Sequence, residues 1–81
     1  MKSRILEILT QSNPKISMIK EENLLEKGLI NSFEITHIIM ELENTFNIEI
    51  EPDQIIADNF QTIDSIVNLV QNALQRKDGD L

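Results

Sequence analysis

The sequence has no cysteine, no tryptophan and no tyrosine, and only two glycines, two prolines and one histidine in 81 residues. Without cysteine there is no disulfide framework and no thiolate metal site. The lone histidine, His37, would have to carry any histidine zinc site or serine–histidine pair, and no neighbour in the sequence is placed to orient it. Two glycines cannot build a glycine-rich phosphate loop. Asp53 and Asp58 lack the spacing and the glycine of a calcium loop. The carboxylates are spread over predicted helix surfaces, the pattern of solvated faces rather than of an acid–base pair. The expectation is therefore no metal, no catalytic residue and no enzyme. No apolar run approaches the roughly 20 residues of a membrane helix. Met1-Lys2-Ser3-Arg4 leads into no hydrophobic signal segment, so a cytoplasmic location is expected.

What is present is an apolar fraction of 41%, enough for one small globular core. Aromatics make up 4%, all phenylalanine, so isoleucine, leucine, valine and methionine must fill most of that core. The net charge of −7 is unevenly distributed: residues 21–64 hold eleven acids and one base, Lys27, whereas residues 1–20 hold four bases and one acid. An acidic surface disfavours nucleic acid and anionic membrane as partners. It favours steering toward basic patches on other proteins.

The apolar spacing predicts helices. Ile5, Leu6, Ile8 and Leu9 give a first helix at about 3–11, capped by Ser3 and ended by Ser12-Asn13-Pro14. Residues 12–31 form a long connection carrying Ile16, Met18, Ile19, Leu24, Leu25, Leu29 and Ile30, part of which should pack on the bundle or turn helically near Glu22–Lys27. Gly28 suits a left-handed turn there. The second helix runs from about 32 to 46, with Ile35, Ile38, Ile39, Leu42 and Phe46 as a single core stripe. Phe33, Thr36, His37 and Met40 fall on its flanks, Glu34, Glu41 and Glu43 on its polar side, and Asn47 is its left-handed C-cap. Ile48-Glu49-Ile50 reads as an extended connector whose isoleucines plug the core. Pro52 opens a short third helix at about 53–57, broken by Asp58-Asn59. Thr62 caps a fourth at about 63–76 with Ile63, Ile66, Val67, Val70 and Leu74 inward. Residues 1–77 make the domain and 78–81 a frayed tail. The expected fold class is all-α, a small four-helix bundle of three main helices and a short third one, with a long loop between the first two.

The chemistry concentrates at the start of the second helix. Asn31 is a good N-cap, and Glu34 is placed to complete a capping box with it. Ser32, at the first helical position, is then not needed for capping. Its hydroxyl points outward at the positive end of the helix, which favours a bound phosphate.

Leu29-Ile30-Asn31-Ser32-Phe33, continuing through the helix to Phe46-Asn47-Ile48-Glu49-Ile50, resembles the acyl carrier proteins. Their signature is Asp-Ser-Leu, followed by an acidic–apolar helix, a Phe-Gly-Ile-Glu-Ile-like exit, a short helix and a last helix. Leu24 to Ser32, together with Phe60-Gln61-Thr62 and Ile66-Val67-Asn68, is similar to the D-alanyl carrier proteins in particular. The resemblance spans the whole plan. It implies that Ser32 receives 4'-phosphopantetheine covalently from a phosphopantetheinyl transferase using coenzyme A, flanked by Asn31 and Phe33. It further implies that the arm carries an acyl or aminoacyl group as a thioester, for fatty-acid, polyketide or related biosynthesis. The partners implied are acyl- or aminoacyl-activating and acyl-transfer enzymes with basic docking patches, met by a monomer through Glu34, Thr36, His37, Met40 and Glu41. Two alternatives stand beside this: a D-alanyl or aminoacyl carrier for an adenylating ligase, and a carrier-like interaction module that is never modified.

The chain departs from the family pattern at three positions. Asn31 replaces the signature aspartate, which keeps the cap and removes one charge beside the attachment site. Phe33 replaces the leucine, as a lid on the bundle or as part of the partner contact. His37 stands where many relatives have glutamate. Met40 is either a core gap-filler or an adaptable contact for partners.

Overall fold

A computed structural model describes residues 1–18 and 23–79, with side chains through Lys77. Among the described residues, four α-helices appear in chain order: α1, Lys2–Ser12; α2, Ser32–Phe46; α3, Ala57–Phe60; and α4, Ile63–Gly79. Short 3-10 turns at Pro14–Met18 and Pro52–Gln54 interrupt the connections, and no strand occurs among the described residues. This is the expected all-α four-helix bundle, with a long connection between α1 and α2.

The first helix packs against both α2 and α4. Ile5 and Leu9 are fully buried and Ile8 nearly so, the stripe that its periodicity implied. Ser3 does not cap this helix. Met1 occupies the N-cap position, its carbonyl accepts the Ile5 N–H at 3.1 Å, and Ser3 lies exposed within the first turn.

The long connection is partly built. Pro14 does more than end α1: its ring fixes the backbone angle that a 3-10 turn requires. That turn delivers Ile16 fully buried into the core. Met18, in contrast, is exposed and not part of the packing. Further on, the Asn23 side-chain oxygen accepts the Leu25 and Glu26 N–H groups, each at 3.0 Å, and starts a turn over residues 24–28. Gly28 closes it at φ +68°, the left-handed conformation that glycine adopts without penalty. Leu24 and Ile30 are buried on either side. The expected turn near Glu22–Lys27 is thus seen from Asn23 onward; Ile19, Lys20, Glu21 and Glu22 lie outside the described residues.

In α2, Ile38, Ile39 and Leu42 are buried, while Ile35 and Phe46 pack half-buried against them. Asn47 ends the helix at φ 54°, ψ 52°, as its sequence position predicts. Ile48 and Ile50 are buried and Glu49 exposed, the alternation expected of an extended connector.

The third helix differs from expectation. The 3-10 turn takes Pro52–Gln54, and the α-helix follows at Ala57–Phe60, with Asp58 and Asn59 inside it. Those two side chains do not break the helix because local bonds occupy them. Asn59 donates to the Gln54 carbonyl at 2.6 Å, and Asp58 accepts from the Gln61 amide at 3.1 Å.

Thr62 caps α4 reciprocally with Ser65. The Thr62 hydroxyl accepts the Ser65 N–H, and the Ser65 hydroxyl oxygen accepts the Thr62 N–H, both at 3.0 Å. The buried stripe of α4 is wider than the sequence pattern predicted. Ile63, Ile66 and Val70 are buried as expected, but Leu69 and Ala73 are buried too, while Val67 and Leu74 are only half-buried. The reason is packing: α1, α2 and α3 all contact this helix. It runs to Gly79, so residues 78 and 79 are helical where a tail was expected; residues 80 and 81 lie outside the described residues.

Candidate attachment site

The mouth of α2 is built by its cap. Asn31 is extended at φ −122°, ψ 176°, and its side-chain oxygen accepts the Glu34 N–H at 2.8 Å. Its carbonyl accepts the Ile35 N–H at 2.9 Å. The other half of the expected capping box, a bond from the Asn31 N–H to the Glu34 carboxylate, does not form among the described residues. Asn31 therefore serves two of the early N–H groups. Those of Ser32 and Phe33 have no partner among the described residues, and neither has the Ser32 hydroxyl. Ser32 is exposed.

A free hydroxyl beside two free N–H groups, at the positive end of a 15-residue helix, suits a covalently attached phosphate group. The neutral amide of Asn31 caps the helix without placing a negative charge beside such a phosphate.

The other predicted site residues lie along the same helix. Phe33 is 88% exposed and Met40 56%, so neither side chain is a lid or a gap-filler in the core. These two are seven residues apart and share a face. Thr36 and His37 are exposed between them, with the Thr36 hydroxyl 3.4 Å from the Ser32 carbonyl. Glu34 and Glu41 are half-buried at the margins. The structure thus brings Phe33, Thr36, His37 and Met40 onto one surface leading away from Ser32.

Sequence reasoning missed two features. Ile55 and Ile56, ahead of α3, are 43% and 51% exposed. Consecutive isoleucines just after a 3-10 turn were the available hint, since adjacent side chains seldom share one buried face. Glu43, read as solvated surface, is half-buried and accepts the Ile50 N–H at 3.0 Å, pinning the extended connector. A cavity of about 680 Å³ lies between Asn47–Glu51 and the end of α4, beside Arg76 and Lys77. It sits at the opposite end of α2 from Ser32, roughly 22 Å away along the axis, and takes no part in this site.

An exposed serine at the mouth of α2 in an acidic helical bundle is the arrangement that the resemblance to carrier proteins implies. Comparison with known proteins agrees. Residues 3–70 match the model of a family described as a phosphopantetheine attachment site. D-alanyl carrier proteins of Streptococcus pyogenes serotypes M5, M49 and M1 are each 32% identical over 56 residues, covering 69% of this chain and 71% of theirs. The chain belongs to the phosphopantetheine carrier family. Its cofactor is covalently attached 4'-phosphopantetheine. Domains of this family are non-catalytic and work with transferases and ligases. No helix among the described residues is long and apolar enough to cross a membrane.

Proposed function

We propose that Ser32 is the residue that takes the arm. The observation that carries this reading is the exposed Ser32 hydroxyl, unbonded among the described residues while its neighbour Asn31 does the capping. In the transfer, Ser32 Oγ forms a bond to the phosphorus nearer the pantetheine in coenzyme A. The diphosphate link breaks, adenosine 3',5'-bisphosphate departs, and the serine proton passes to a base on the transferase. The chain itself then acts as a cytoplasmic carrier, not an enzyme, with residues 1–77 as the working domain.

The cargo is an acyl or aminoacyl thioester. Its likeness to D-alanyl carrier proteins supports an aminoacyl load, such as D-alanine, delivered by an adenylating ligase. Fatty-acid or polyketide synthesis is the competing pathway. Docking uses the exposed face of Phe33, Thr36, His37 and Met40, rimmed by Glu34 and Glu41, against apolar pockets ringed by basic residues.

Incubation with coenzyme A and a phosphopantetheinyl transferase tests the site. The intact mass should rise by one phosphopantetheine, and Ser32→Ala should abolish the rise; a rise that survives in Ser32→Ala refutes the assignment. Candidate acids with their activating enzymes then reveal the cargo as a thioester mass. Asn31 in place of the signature aspartate favours a second reading, an unmodified interaction module. Failure of several transferases, with partner binding intact, selects that reading.

A further inference from the structure

Ser32 is delivered to the mouth of α2 by residues 23–31. Among the described residues, two hydrogen bonds tie this segment to elements outside it and α2. One is from the Leu24 N–H to the Gln61 carbonyl, 2.6 Å, at the junction of α3 and α4. The other is from the Asn13 side-chain amide to the Leu29 carbonyl, 3.1 Å, across 16 residues of sequence.

Asn13 is fully engaged. As C-cap of α1 its N–H donates to the Leu9 carbonyl at 3.0 Å, and its own carbonyl accepts the Ile16 N–H at 3.0 Å. Its side-chain oxygen accepts the Lys15 N–H, also at 3.0 Å. That leaves the amide nitrogen, which alone reaches away from α1 and its following turn. The carbonyl it meets lies past the Gly28 turn and three residues before Ser32. Beyond it, the buried Ile30, whose N–H meets the Leu24 carbonyl at 3.4 Å, and the cap itself set the direction of the chain among the described residues.

We propose that Asn13 is a positioning residue for the attachment site: its amide, held by the end of α1, fixes the Leu29 carbonyl and so the path on which Ser32 approaches α2. The effect on arm transfer rests on the reading of Ser32 as the attachment residue; the tether itself does not. Losing the tether lets residues 29–31 sample other paths. Only the fraction in the native path then presents Ser32 correctly, which lowers apparent affinity for the transferase without altering the chemistry once bound.

Asn13→Asp separates this role from capping. The carboxylate keeps an acceptor for the Lys15 N–H and has no donor for the Leu29 carbonyl. Two measurements on the full chain decide. In amide hydrogen exchange, Leu29 and Ile30, which donate to the Leu24 carbonyl at 2.9 and 3.4 Å, report opening of the segment. Asn13→Asp should speed their exchange by up to about tenfold, with amides in the middle of α1 and α4 unchanged. In arm transfer from coenzyme A by a phosphopantetheinyl transferase, KM for the carrier should rise several-fold while kcat holds. Asn13→Ala should repeat both effects and also loosen the Pro14–Met18 turn. Wild-type exchange and KM in Asn13→Asp overturn the proposal, as does faster exchange throughout α1 and α4, the mark of general destabilisation. A wild-type chain that takes no arm overturns the Ser32 reading and the transfer role with it, while the exchange result still decides the tether.

Discussion

The Asn31 side-chain oxygen lies 2.8 Å from the Glu34 nitrogen, and Ser32, between them in sequence, is left with nothing to cap. A division of labour follows: one residue stabilises the helix start and the next keeps an uncommitted hydroxyl, which the proposed function uses. Asn31→Ala should lower stability by about 1 kcal/mol, and Asn31→Asp should retain the cap. Urea unfolding midpoints of the unmodified chains check both, and an unchanged midpoint for Asn31→Ala removes the cap from the account.

Phe33 and Met40 are exposed and outside the core, and the proposed docking face uses both. Phe33→Ala or Met40→Ala should change stability by no more than about 0.5 kcal/mol. Each should weaken binding to a modifying or loading enzyme by at least about fivefold, the scale of an interface residue worth about 1 kcal/mol. Titration calorimetry at two salt concentrations checks this. The acidic rim predicts weaker binding at the higher salt.

Glu43 belongs to the fold rather than to the docking face. Glu43→Ala should cost about 1 kcal/mol by orphaning the Ile50 N–H, and Glu43→Gln, which keeps an acceptor, should cost less. Binding to partner enzymes should be the same in both variants. Thermal unfolding paired with the same titration separates the two roles.

Phe60 is fully buried, as are Ile66 and Val70 on the helix that follows. Phe60→Ala should remove about 3–5 kcal/mol. A domain of this size holds about 4–12 kcal/mol in all. Far-UV circular dichroism should therefore show a chain that is unfolded, or melts far below the parent.

Much of this molecule could be read from the chain because local and global signals agree. The Asn31 cap, the five-residue apolar stripe of α2 and the left-handed Asn47 each follow from nearest-neighbour chemistry, and tertiary packing reinforces them. Where reading failed, contacts that neither helix periodicity nor residue type contains decided the outcome. Leu69 and Ala73 are buried because three helices surround α4, a fact that no stripe of one helix contains. Asp58 and Asn59 look like breakers until Gln54 and Gln61 engage them. At the site, the exposure of Phe33 and Met40 was left open by the sequence, and only the free Ser32 hydroxyl beside the Asn31 cap was legible. The contributions of Asn13 and Glu43 were not, because each bonds a backbone group that lies far off in sequence or across a turn.

Both ends of α2 are fastened from outside it. Near its start the Asn13 amide holds the Leu29 carbonyl, and at its far end Lys77 donates to the Asn47 carbonyl at 2.7 Å. A helix held near both ends in this way suits the part of a mast. The wandering that delivery requires then resides in the flexible tether, whose contour sets how far a cargo travels. On the proposed docking face, a visiting enzyme would meet a surface held at both ends, so less conformational entropy would be lost on contact. A small footprint then suffices for selective encounters that still end quickly, as a shuttle with several ports requires.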